Sequence, residues 1–166
     1  MKFAEFSPGQ VIEAGPVGIS AEEIVAFARQ YDPQWFHVDE ARANAGRHGG
    51  LIASGWQTCG LAMRLAVQAA LDGSESFASP GLSSLRWLHP VRPGDELRLK
   101  MTVLETRRSR SQGSLGILRW RWQLYNQRGT EVLDVEATSL FDLPPHGDNT
   151  PRATTPTSAS PSAPRS

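Results

Sequence analysis

Two runs in the second half of the chain alternate strictly between apolar and polar side chains. Leu97, Leu99, Met101 and Val103 are separated by Arg98, Lys100 and Thr102, and Leu118, Trp120, Trp122 and Leu124 by Arg119, Arg121 and Gln123. Successive side chains of a strand point to opposite faces, so each run predicts a strand with one dry and one wet face. A further strand is predicted from Glu131 to Phe141, after the turn sequence Asn126-Gln127-Arg128-Gly129, and an earlier one from Leu82 to Leu88, before Pro90. Together they make an antiparallel meander. Trp120 and Trp122 fall on its dry face, as core or dimer packing.

The first half changes period. An extended segment, Gln10 to Gly18, leads into Ser20-Ala21-Glu22-Glu23, where Ser20 caps a helix and Glu23 reaches back to it. The helix is predicted from Ala21 to near Tyr31, with Ile24, Val25, Phe27 and Ala28 on one side, and Pro33 leaves Asp32 in a turn. A short helix is expected over Asp39 to Asn44, then a loop, Gly46-Arg47-His48-Gly49-Gly50. From Gly55 to Leu71, behind an acceptable cap at Ser54, Leu61, Ala62, Leu65, Ala66, Ala69 and Ala70 are small or apolar around most of the circumference, which predicts a buried central helix. One buried helix followed by long antiparallel strands is an α+β fold in which the sheet wraps around that helix. The unpaired edge such a sheet leaves makes a homodimer, or a higher homo-oligomer, the expected way of covering it.

Composition sets the boundaries. The 166 residues, 39% of them hydrophobic, suit one well-buried core. From Pro144 onward the chain turns to Pro, Ser, Thr, Ala and Gly, so residues 1–143 are expected to form the single domain and 144–166 a disordered tail. Seventeen basic residues against seventeen acidic ones give no net field for nucleic acid or an anionic membrane surface. The longest mostly apolar stretch, Leu61 to Leu71, is broken by Arg64 and Gln68 and falls short of the roughly 20 residues of a membrane span. Cys59 is the only cysteine and the N-terminus has no apolar run, which together predict a reducing, cytoplasmic setting. Cys59 itself reads as an inert core residue, and His48 and His89 have no partner at metal-ligand spacing, so no metal site is expected.

The segments Tyr31-Asp32-Pro33-Gln34-Trp35-Phe36-His37-Val38-Asp39 and Gly50-Leu51-Ile52-Ala53-Ser54-Gly55-Trp56 resemble the hydratase region of MaoC-like hot-dog proteins, whose pattern places an Asp five residues before a His. Leu88-His89-Pro90-Val91-Arg92-Pro93-Gly94-Asp95-Glu96-Leu97 is similar to the turn and strand entry that many hot-dog proteins carry after the central helix. The resemblance covers roughly residues 7 to 142. It implies a single hot-dog domain acting on an acyl-coenzyme A thioester, as an (R)-specific enoyl-CoA hydratase or the reverse dehydratase, with no cofactor beyond the coenzyme A of its substrate. It also implies that Asp32 and His37 hold the reacting water and that the Gly55 amide receives the thioester oxygen. Two departures stand out. The family's common Asp-x-Asn-Pro-x-His reads Asp32-Pro33-Gln34-Trp35-Phe36-His37, which moves the proline, and its His-Gly reads Ser54-Gly55, which removes a side-chain donor.

Hydration of an enoyl thioester needs a base for water, an acid for the α carbon and a donor for the developing enolate oxygen. A histidine titrating near neutrality suits the first task, and a carboxylate whose pKa is raised by burial in an apolar wall suits proton relay; Asp32 and His37 share the two roles, unassigned between them. Gly55 would offer an unpaired amide at a helix N-terminus, and Ser54 a cap or a hold on a second water. Taken alone, an Asp before a Pro reads as a turn residue and a His beside Trp35 and Phe36 as a core side chain, so the catalytic reading rests on the resemblance. An acyl-CoA thioesterase and a non-catalytic acyl-CoA-binding protein remain as alternatives, the second because the motif is altered at Pro33 and Gln34. Arg107-Arg108-Ser109-Arg110 reads as a solvated hairpin turn, with contact to coenzyme A phosphates as the other reading.

Overall fold

The computed structural model describes residues 1–144, so all but the first residue of the expected tail lies outside it. A short turn of 3-10 helix, Phe3–Glu5, precedes strand β1 (Val11–Gly18), and helices α1 (Ala21–Tyr31), α2 (Trp35–Val38), α3 (Glu40–Ala45) and α4 (Gly55–Ala66) follow. A wider π turn, Val67–Leu71, prolongs α4, and strands β2 (Ser76–Trp87), β3 (Glu96–Arg108), β4 (Leu115–Tyr125) and β5 (Glu131–Asp142) complete the fold. The five strands form one antiparallel sheet in the order β1-β3-β4-β5-β2.

The predicted alternation becomes the core. Leu99, Leu124 and Leu133 stand side by side across β3, β4 and β5, as do Met101, Trp122 and Val135, and Val103, Trp120 and Ala137. These rows are buried, and α4 packs Ala62, Leu65 and Ala66 into the same cluster. Full burial of one such leucine contributes about 1.5–3 kcal/mol. The small side chains of α4 let the sheet close around it, which is the α+β hot-dog arrangement expected.

Local chemistry explains the element boundaries. Ser20 Oγ accepts from Glu23 N at 3.2 Å while Glu23 Oε2 accepts from Ser20 N at 2.8 Å, so α1 starts on the predicted capping box. Asp39 caps α3 by accepting from Arg42 N at 3.0 Å. Gly15 lies at φ 107°, where a Cβ would sit 2.7 Å from the Leu97 carbonyl, and here β1 bulges against β3.

Several expectations change. Strand β2 begins at Ser76, well before Leu82, and pairs with β5 rather than following chain order, so only β3-β4-β5 is a meander. The central helix is not covered all round: Trp56, Met63 and, in the turn that prolongs it, Val67 are exposed. Cys59 is half-buried on that helix rather than inside the core. Arg107 and Arg108 end β3 at the hairpin, Arg107 pairing with Glu105 at 3.0 Å and Arg108 donating to the Gly113 carbonyl at 2.7 Å. Among the described residues no helix is long and apolar enough to cross a membrane.

Candidate active site

Three consecutive devices bring the polar residues of the first half together. Helix α1 ends at Asp32, whose N–H still donates to the Ala28 carbonyl at 2.8 Å but whose backbone has left the helix at φ −151°, ψ 68°. Pro33 keeps the chain extended, and Gln34 then opens α2, on which His37 is buried. After α3 the chain runs inward through Leu51–Ser54, all buried, and Ala53 N donates to the Val91 carbonyl at 2.8 Å, which ties this segment to the chain entering β3.

Asp32 and His37 meet where these paths cross. His37 Nε2 is 3.3 Å from Asp32 Oδ2, and His37 Nδ1 is 2.7 Å from the Ile52 carbonyl oxygen. A carbonyl only accepts, so Nδ1 carries the proton and donates, leaving Nε2 of the neutral ring as an acceptor. That acceptor faces a carboxylate oxygen. The pair is stable only with a proton between the two atoms or with a hydrogen-bond donor, such as water, shared by both.

The carboxylate is held by neutral donors. Ser54 Oγ donates to Oδ2 at 2.7 Å and Gln34 Nε2 donates to Oδ1 at 2.8 Å. Burial is the largest single influence on Asp32 and pushes its pKa up, but the Ser54 and Gln34 hydrogen bonds, together with the charge His37 carries when protonated, outweigh it and hold Asp32 below its ordinary value. This corrects the raised carboxylate expected from the sequence. Two charge-stabilising donors decide the sign, and Gln34, which looked like a departure from a motif, is one of them.

Ser54 performs a second task, accepting from Trp56 N at 3.3 Å as the cap of α4. Gly55 is the first residue of that helix, where the amide has no helical carbonyl to bond. Its own carbonyl accepts from Trp87 Nε1 at 2.9 Å, and the Trp87 indole lies so close that a Cβ at position 55 would meet ring atoms at 2.5–2.9 Å. Glycine is therefore required by the indole. Asp32, His37 and Gly55 open onto one cleft of about 380 Å³, whose other walls include Trp56, Trp87 and His89.

The structure thus brings together all four residues singled out from the sequence, Asp32, His37, Ser54 and Gly55. It adds Gln34, the Ile52 carbonyl, Trp87 and His89, the last of which lines the cleft with Nδ1 2.8 Å from the Glu131 carbonyl. His48 and Cys59 do not line it. Among the described residues no group of three or more His, Cys, Asp or Glu side chains is placed to hold a metal ion.

Comparison with known proteins points to one family. Residues 3–119 match the MaoC like domain. The chain is similar to the uncharacterized protein YdeM of Bacillus subtilis, 36% identical over 141 residues, covering 85% of this chain and 99% of that one. It is 39% identical over 90 residues to the 3-hydroxyacyl-thioester dehydratase Z of Mycobacterium tuberculosis, covering 53% of this chain and 60% of that protein. Its fold superposes on the crystal structure of a MaoC-like dehydratase from Rhodospirillum rubrum with a TM-score of 0.79 at 35% identity, covering 86% of this chain and 97% of the other.

Proposed function

Because the chain belongs to the MaoC-like family, we propose that it adds water to trans-2-enoyl-CoA to form (R)-3-hydroxyacyl-CoA, and runs the same step backwards as a dehydratase. The observation that carries this reading is the pair of facing acceptors, Asp32 Oδ2 and His37 Nε2 at 3.3 Å, beside the first amide of α4. A water donating to both would keep its oxygen lone pairs free to attack. The relative named a 3-hydroxyacyl-thioester dehydratase supports an acyl thioester as the substrate class here.

In the proposed step the water oxygen bonds to the β carbon and one water proton passes to His37 Nε2. The π electrons move to the thioester oxygen, where the Gly55 N–H and the dipole of α4 stabilise the enolate. His37 then returns the proton to the α carbon, so one water is added in all. His37 is the better base of the two: Asp32 already accepts from Ser54 and Gln34, which keeps it ionised but weakly basic. Asp32 instead stabilises the imidazolium. No metal or cofactor is needed for these steps.

A homodimer belongs to the same proposal. The edge strand β2 exposes Phe77, Leu82 and Trp87, and α4 exposes Trp56 and Met63, apolar surface that a second copy would cover. The activity is tested by following the absorbance of the conjugated enoyl thioester in crotonyl-CoA and longer trans-2-enoyl-CoAs. Loss of conjugation by the wild type, abolished in folded His37→Ala, is the expected result. No turnover at any chain length would overturn the hydratase reading and favour thioester hydrolysis, read by thiol release, or binding without turnover.

A further inference from the structure

The hydratase reading leaves one titratable side chain of the cleft without a task. Asp32 and His37 form the reacting pair, and the polar groups around them are engaged in building it: Gln34 Nε2 donates to Asp32, Thr58 Oγ1 to the Ser54 carbonyl at 3.3 Å and Trp87 Nε1 to the Gly55 carbonyl. His89 lines the same cleft, and its one side-chain hydrogen bond among the described residues joins Nδ1 to the Glu131 carbonyl at 2.8 Å. The segment that carries it runs along the start of α4. Trp87 is tied to the Gly55 carbonyl and the Val91 carbonyl accepts from Ala53 N at 2.8 Å, so His89 stands midway along this wall. On the other side Leu88 N donates to the Val132 carbonyl at 3.0 Å, and Pro90 favours an extended backbone at His89. A carbonyl only accepts, so Nδ1 carries the proton, and Nε2 of the neutral ring is an acceptor with no partner among the described residues.

The proposed substrate class supplies a matching donor. A thioester group has no N–H or O–H of its own, whereas the first polar group along the thiol arm of coenzyme A is an amide. Its nitrogen lies three bonds beyond the sulfur, about 5 Å from the thioester carbon at ordinary bond lengths, and the phosphates lie many bonds further. With the thioester oxygen at the Gly55 amide, this N–H falls within the cleft of about 380 Å³ that His89 and Gly55 share. His89 is also exposed, which places it on the rim, where the thiol arm must leave for solvent. We propose that His89 Nε2 accepts a hydrogen bond from this first amide N–H, so that His89 recognises the thiol arm of the substrate rather than its acyl chain or its phosphates. The inference rests on the hydratase reading for its substrate, but not on turnover.

Two short thioesters isolate this one contact: S-butanoyl-N-acetylcysteamine, which keeps the N–H, and S-butanoyl-2-acetoxyethanethiol, in which an ester oxygen replaces it. Their dissociation constants are measured by NMR titration of the full chain and of its His89→Phe and His89→Gln variants. The affinity ratio of amide to ester is expected to fall about fivefold in His89→Phe, which keeps a ring on the rim without an acceptor. His89→Gln, whose side-chain oxygen accepts, should restore most of the ratio. A ratio taken within each protein is insensitive to a modest loss of folding. Where the crotonyl counterparts are turned over, His89→Phe should raise KM for the amide form with little change in kcat. A ratio unchanged in His89→Phe, or no binding of either thioester by the wild type, would overturn the proposal. A ratio that depends on His89 without turnover of any enoyl thioester would overturn the hydratase reading alone, and turnover with a ratio indifferent to His89 would overturn this inference alone.

Discussion

Two carboxylates in this protein, Asp134 buried and Asp32 partly buried, are held below their ordinary pKa by opposite means. Asp134, on the outer face of the sheet, lies between the guanidiniums of Arg121, at 2.8 Å, and Arg86. The Arg121 hydrogen bond lowers its pKa most, against the opposing effect of burial and with help from Arg86. Asp32 takes its two direct hydrogen bonds from a hydroxyl and an amide, which stabilise the charge without cancelling it. A carboxylate matched by two cations is electrically finished and serves to join strands β2, β4 and β5. One held ionised by neutral dipoles keeps its field, and in a cleft that field is available to a substrate or to an imidazolium.

The largest expected effects fall on the Asp32 side. His37→Ala and Asp32→Asn should each lower kcat/KM for an enoyl-CoA by about 100- to 10,000-fold with the fold intact by circular dichroism. The two should differ in pH profile. In the wild type, the loss of activity that comes from protonating Asp32 is expected below the ordinary carboxylate range, because the lowered pKa keeps Asp32 charged until then. In Asp32→Asn that acid limb should be absent from the residual activity.

A sharper test of the comparison is Ser54→Ala. It removes a donor to Asp32 together with the cap of α4, so the acid limb of activity should move to higher pH, turnover should fall about tenfold, and stability by about 1 kcal/mol in urea titration. Ser54→Thr, which restores a hydroxyl, should recover most of each. A melting-point change without movement of the acid limb would reduce Ser54 to a helix cap.

Asp134→Asn should leave turnover unchanged. Its two arginine partners are substantially exposed and can be hydrated when released, so the loss is expected near 1 kcal/mol rather than the 3–5 kcal/mol of a broken fully buried pair. The sign with pH is fixed by the lowered pKa of the folded state. The stabilisation is present above the ordinary carboxylate pKa of about 4 and is lost as the pH falls through the lower folded value. Wild type and Asp134→Asn should therefore differ in stability near neutrality and converge in strong acid.

The alternating runs of β3, β4 and β5, the capping box of α1 and the small residues of α4 are local patterns, and they determined by themselves which faces are dry and that a sheet must close on a helix. The site residues Asp32, His37, Ser54 and Gly55 were legible only through a resemblance of motif, because an Asp before a Pro and a His among aromatics have ordinary structural uses. Tertiary structure decided the rest. The sign of the Asp32 pKa depends on two donors, Gln34 two residues away and Ser54 twenty-two residues away, whose joint contribution burial alone does not reveal. The tautomer of His37 depends on a backbone carbonyl at Ile52, and every residue carries such a carbonyl whatever its side chain. The demand for glycine at 55 comes from the ring of Trp87, which the pairing of β2 with β5, rather than its place in the chain, brings over the start of α4. Local pattern records which surfaces must be buried; which polar atoms then meet is set by how strands from distant parts of the chain are ordered in the sheet.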